Sequence, residues 1–188
     1  MAVVECHNSN LLTMRLTAAA IRTIRANQTL LDKLFVELNR LLPSELHEDL
    51  DALVTAFEGL SPGLRAMAAT YQLDVSMGLD DLGWHFANWH HRAYCDETSR
   101  GLWELEANEV AQIFDQAYRL VLPYWDAIGD MLAADSKVFV DWYYESPLEK
   151  VLSPLNVRLW EICEKLGEDR LLQFWLDYAR KYPERVVA

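Results

Sequence analysis

The sequence predicts an all-α fold, a bundle of about nine or ten helices in one domain spanning 1–188, and three observations predict it. Apolar residues recur three and four positions apart along nearly the whole chain. Capping side chains and prolines open these runs, and glycines or prolines close them. The strict alternation of a half-buried strand is missing, with Val138-Phe139-Val140 the one short candidate.

Taken in order, Asn10 precedes Leu11, Leu12, Met14, Leu16, Ile21 and Ile24, which predict a first helix with Arg15, Arg22 and Arg25 on its outer side. Thr29 opens a second through Leu30, Leu34, Phe35, Leu38 and Leu41, stopped by Pro43. Ser44 is read as the cap of a third, with Leu46, Leu50, Leu53, Val54 and Phe57 inward and Gly59 at its end. Ser61-Pro62 opens a fourth that runs to Gly78, since proline fits the first turn, where its missing N–H costs nothing. A fifth helix is expected over 80–94, and Asp96-Glu97-Thr98 reads as the start of a short sixth. Asn108 then caps a helix with Val110, Ile113, Phe114, Ala117 and Val121 as its core stripe. After Pro123, helices are expected over 124–134 and 137–144. Ser153-Pro154 repeats the start signal before Leu155, Leu159 and Ile162, with Gly167 as its stop. A last helix over 169–182 buries Leu171, Trp175, Leu176 and Ala179.

Bulk numbers narrow the function classes. The 188 residues suffice for one self-supporting core. A composition that is 52% hydrophobic and 24% charged is that of a folded protein, not an acidic disordered tail. The longest stretch free of charged side chains is 82–91, about half of what a bilayer crossing needs. Met1 to Cys6 carries no basic segment followed by an apolar run, so no secretory signal is expected. Cys6, Cys95 and Cys163 are far apart and odd in number, which supports neither a disulfide framework nor a zinc ribbon. Reduced thiols in a cytoplasmic protein are the expectation.

Charge is the strongest bulk signal. The net charge is -12, with -15 concentrated in 41–149 and the flanks 1–40 and 150–188 at +2 and +1. Such a field repels nucleic acid, whose binding requires phosphates to be neutralised, and attracts basic protein surfaces. The plainer role of the same acidity is solubility.

The densest chemistry lies in 84–96, where His85, His90, His91, Cys95 and Asp96 follow Trp84. Ligands that converge on a helix sit three or four apart. His85 is five from His90 and six from His91, so these rings diverge, and His91 with Cys95 makes only half a site. Leu82, Phe86 and Trp89 read as a buried stripe, with His85 and His91 as hydrogen-bonded edge residues. General acid–base work needs one carboxyl desolvated, whereas the pairs Asp80-Asp81, Glu104 with Glu106, and Asp126 with Asp130 are expected to be ionised and solvated on an acidic helical surface. No nucleophile elbow or phosphate-binding loop is present. No catalytic residue, metal or cofactor is therefore expected.

From Pro62 onward the order of features resembles the DNA-mimic-protein family of bacterial helical domains. The family's Asn-Gly-Gly-Phe-x-Gln-Tyr-Phe-x-Asn segment corresponds to Leu79-Asp80-Asp81-Leu82-Gly83-Trp84-His85-Phe86-Ala87-Asn88, in which Phe86 and Asn88 match. Leu102, Leu105, Ala107, Ala111, Ile113 and Ala117 follow at the right distances, and Tyr178 to Glu184 is similar to the family's last helix. The Asn-Gly-Gly triplet is replaced by Leu79-Asp80-Asp81, so the turn that glycine permits is expected to be absent. Residues 1–61 carry no part of the resemblance. It implies an all-α, often dimeric fold whose acidic surface imitates duplex phosphates and engages a DNA-binding protein.

The expected role is a non-enzymatic acidic interaction module for a basic protein partner, without direct nucleic-acid or membrane binding. The candidate contact residues are Asp80, Asp81, Asp96, Glu97, Glu104, Glu106 and Glu109, as charge partners for Lys and Arg. Two other readings stand beside it: an immunity or antitoxin-type inhibitor, in which the same acidity blocks a basic toxin, and a small metal- or ligand-binding domain using His85, His91, Cys95 and nearby acids.

Overall fold

The computed structural model describes residues 15–187, which form helices and turns with no strand among them. The helices are α1 (Ala18–Thr23), α2 (Asn27–Leu41), α3 (Leu50–Phe57), α4 (Pro62–Leu79), α5 (Leu82–Asn88), α6 (Arg92–Glu104), α7 (Asn108–Val121), α8 (Trp125–Ala134), α9 (Ser136–Tyr143), α10 (Pro147–Leu166) and α11 (Leu172–Lys181). Short 3-10 turns lie at Ser44–Glu48, Leu122–Tyr124, Gly167–Asp169 and Pro183–Arg185.

α4 is the axis. It packs closely against α6 and also against α5, α11, α2 and α3. Its side chains enter three apolar clusters: Leu73 and Met77 join α5, α7, α8, α9 and α10; Leu64 and Met67 join α1, α2 and α11; Ala69 joins α3 and α6. A helix surrounded in this way has little room for charge. Its only two charged side chains, Arg65 and Asp74, are both in ion pairs.

Several helix starts differ from the sequence expectation, each for a local reason. The first helix begins after Thr17, whose hydroxyl accepts the Ala20 N–H; the expected Asn10 cap and Leu11 to Met14 lie outside the described residues. Ser44 opens only a 3-10 turn, and Asp49 caps α3 by accepting the Ala52 N–H. The helix expected over 80–94 breaks after Asn88. His91 then starts α6, its Nδ1 accepting the Tyr94 N–H at 3.2 Å, so Asp96, Glu97 and Thr98 sit inside a helix rather than at its start. α10 begins seven residues before Ser153-Pro154: Ser146 accepts the Glu149 N–H and Pro147 occupies the first turn. Pro154 is tolerated inside that helix because it lies on the exposed face, where water can solvate the carbonyl it leaves without a donor. Val138-Phe139-Val140 is helical, within α9.

Candidate partner-binding surface

The seven carboxylates expected to act together occupy four separate settings. Asp80 and Asp81 form the turn between α4 and α5. Asp81 is structural as well as charged: it caps α5 by accepting the Trp84 N–H at 3.0 Å and takes the Tyr143 hydroxyl at 3.1 Å. Asp80 is exposed, and partial burial together with the Asp81 charge beside it pushes its carboxyl above the usual range. Asp96 stands exposed on α6 on the flank that faces α7, with Ser99, Asp115 and Arg119 around it.

Glu97 points elsewhere, because consecutive helical residues diverge by about 100°. Its side chain is buried against α4, held by Arg65 through two guanidinium nitrogens at 2.7 and 2.8 Å and also by Arg100. Burial alone would raise this carboxyl, but the two guanidiniums more than reverse that and hold it below the usual range. On the same flank Glu104 accepts the Tyr178 hydroxyl and pairs with Arg185 at 2.8 Å. Glu106 is bound by Lys181 at 2.6 Å and by the Tyr182 hydroxyl at 2.7 Å. Its φ of 59° places it in the left-handed position that ends α6, where the Ala107 N–H reaches the Leu102 carbonyl and the Glu106 N–H that of Trp103. Glu109 pairs with Arg158 of α10 at 3.4 Å.

The basic C-terminal part of the chain thus folds back onto the acidic middle. Glu97, Glu104, Glu106 and Glu109 are committed to cations within the molecule, while Asp80, Asp81 and Asp96 form no ion pair among the described residues. Carboxylates that the sequence reading passed over lie beside the Asp80–Asp81 turn instead. Tyr143, bonded to Asp81, also feels the charge of Glu149, and the next residue but one along the chain is Glu145. The Leu82 N–H donates to Asn156 and the Trp160 indole donates to the Asp80 carbonyl at 3.3 Å, which brings α10 against the turn. The missed signal was Ser146-Pro147: read as a helix start, it places Glu145 and Glu149 at one end of α10.

The histidine–cysteine segment does not converge. His85 is fully buried rather than at an edge, because the short α5 is packed by α4, α7, α8 and α10. Its Nδ1 meets the Ser76 hydroxyl at 3.0 Å. His91 caps α6 and its Nε2 lies 3.0 Å from Asp51. The Cys95 thiol donates to the Trp89 carbonyl, and burial pushes it up to about 12, far from a thiolate. Among the described residues no three such side chains gather into a metal site.

The family model for DMP19-like proteins matches residues 58–181, from just before α4 through the end of α11. The chain belongs to the DMP19-like protein family. The family is that of DNA mimic protein 19, which suggests a role in protein interaction. Neither a curated protein nor a solved structure gives a significant match. The DMP19-like segment carries the central helix and all seven of the expected contact carboxylates. Its motif residue Phe86 is fully buried and stacks on Tyr118 at 5.6 Å, and Asn88 is the last residue of α5. Where the family has glycines, Asp80 and Asp81 have φ of -155° and -137°, both negative, so neither takes up the left-handed conformation that favours glycine. No helix among the described residues is long and apolar enough to cross a membrane.

Proposed function

We propose that this chain is a non-enzymatic, cytoplasmic interaction module that binds a basic DNA-binding protein through carboxylates standing in for duplex phosphates. The observation that carries the reading is family membership combined with a turn, Asp80–Asp81, that forms no ion pair among the described residues. Of the seven expected contacts, Asp80, Asp81 and Asp96 keep that role; Glu145 and Glu149 join them. Glu97, Glu104, Glu106 and Glu109 serve the fold. Two carboxylates held together without a counter-ion store repulsion that a partner's Lys or Arg relieves, which adds to affinity and speeds encounter. We take 1–188 as one domain, because α2 and α3, which precede the matched segment, share apolar clusters with α4. The homodimer that the resemblance implies belongs to the same reading and is read by sedimentation velocity.

The test is capture of proteins from lysate on the immobilised chain at low ionic strength, followed by elution with salt. A basic DNA-binding protein should be retained, released near 1 M salt where the Debye length is about 3 Å, and displaced by duplex DNA. Retention of no such protein, or a partner whose binding duplex DNA leaves untouched, sinks the reading.

A further inference from the structure

Four large apolar side chains stand in water around the Asp80–Asp81 turn: Leu79 is 83% exposed, Tyr144 58%, Val157 48% and Trp160 42%. Hydrogen bonds tie this neighbourhood together. The Trp160 indole reaches the carbonyl of Asp80, the residue after Leu79, with Val157 about one helical turn back on α10. On the other side of Asp81, the Trp84 indole donates to the Tyr144 hydroxyl at 3.3 Å. Leu79 belongs to none of the apolar clusters that hold the fold. An exposed leucine outside those clusters, next in the chain to the residue that anchors the half-exposed Trp160, does nothing for the fold; together they have the composition of an interface anchor. The surroundings are acidic: Asp80 and Asp81 form the turn, the charge of Glu149 acts on Tyr143 beside Asp81, Glu145 follows Tyr143 by two residues, and none of these four is in an ion pair among the described residues. Arg170, the cation nearest the end of α4, packs on Gly78 and is engaged by Asp74.

We propose that this surface docks an amphipathic basic segment of the partner, with an apolar side chain seated on Leu79, Val157 and Trp160 and flanking Lys or Arg on Asp80, Asp81, Glu145 and Glu149. The inference rests on the partner-binding role proposed above and adds that recognition is not purely ionic. Charge complementarity selects the occupant. A second copy of this chain would set one acidic surface against another, whereas a basic segment relieves the repulsion between Asp80 and Asp81.

Two synthetic helical peptides of equal length and charge, one built of Lys and Leu and the other of Lys and Ser, test this by nitrogen-resolved NMR on the full chain. The Lys/Leu peptide should bind at least about tenfold tighter, the difference that burying one anchor residue supplies. It should shift the Trp160 indole and the Leu79 and Asp80 amides, and retain part of its affinity at high salt. Leu79→Ser should erase the advantage and leave the Lys/Ser peptide unaffected; Val157→Ser, on a different helix, should do the same in part. Asp80→Asn combined with Glu149→Gln should weaken both peptides. Equal affinities, or shifts centred on another face, overturn the proposal. A captured partner that binds Leu79→Ser as tightly as the native chain, yet still elutes with salt, overturns it while leaving the DNA-mimic reading intact.

Discussion

Neighbouring residues with the same charge do opposite jobs here. Asp96 and Glu97 are one position apart, yet the first meets water and the second sits between Arg65 and Arg100. Glu97→Gln leaves two guanidiniums short of their counter-charge and should cost about 2–3 kcal/mol in denaturant unfolding, less than a fully buried pair because Arg100 is largely in water. Asp96→Asn should change stability by no more than about 0.5 kcal/mol. Equal effects would mean that Glu97 is not the strut described. His85 makes a second prediction. Burial pushes its imidazole down to about 3 from the ordinary 6.5, so the unfolded chain takes up a proton in this window that the folded chain refuses. Stability therefore falls as pH drops from 6.5 toward 3, and is fully present above 6.5. His85→Gln, which can still meet the Ser76 hydroxyl, should flatten the melting temperature against pH over that interval. An unchanged slope would assign the acid sensitivity to other groups. Neither role could be read in the sequence, which shows that a glutamate and a histidine are present but not what encloses them.

Helix starts and close approaches decide which side chains are presented. Two Ser-Pro pairs compete to open α10, and only Ser146 accepts an N–H of the first turn. Ser146→Ala should cost about 1 kcal/mol as a lost cap, while Ser153→Ala inside the helix should cost almost nothing. The reverse order of melting temperatures would restore the later start. Gly101 sets the spacing of the central helix pair. A Cβ there would lie 2.9 Å from the Ala66 carbonyl oxygen and 3.2 Å from the Ala66 Cα, backbone atoms that cannot swing aside. Gly101→Ala should force α4 and α6 apart at a cost of about 1–3 kcal/mol, measured by denaturant titration. Gly83 does the same for α5, since a Cβ would collide with the Tyr143 ring. The apolar stripes of α2, α4 and α7 were plain in the sequence because period and burial coincide there. The break after Asn88 was not, because a histidine serving as a cap carries no distinctive spacing.

Across the whole molecule, α4 contributes to all three apolar clusters, so the segments before and within the DMP19-like match share their interior. Heat unfolding should then be one transition, with calorimetric and van't Hoff enthalpies equal. Two separated transitions would divide the chain at about Ser61. Charge behaves differently from apolar pattern at this scale. The surplus of negative charge, the helical class and the family resemblance were all written in the order of residues, because composition and a period of three to four depend on near neighbours alone. Which carboxylates remain unneutralised was settled only when Arg158, Lys181 and Arg185 folded back onto Glu109, Glu106 and Glu104. Ion pairs join residues dozens of positions apart, through distances that only the packed helices fix. Sequence counts the charges, and the fold decides which of them face outward uncompensated.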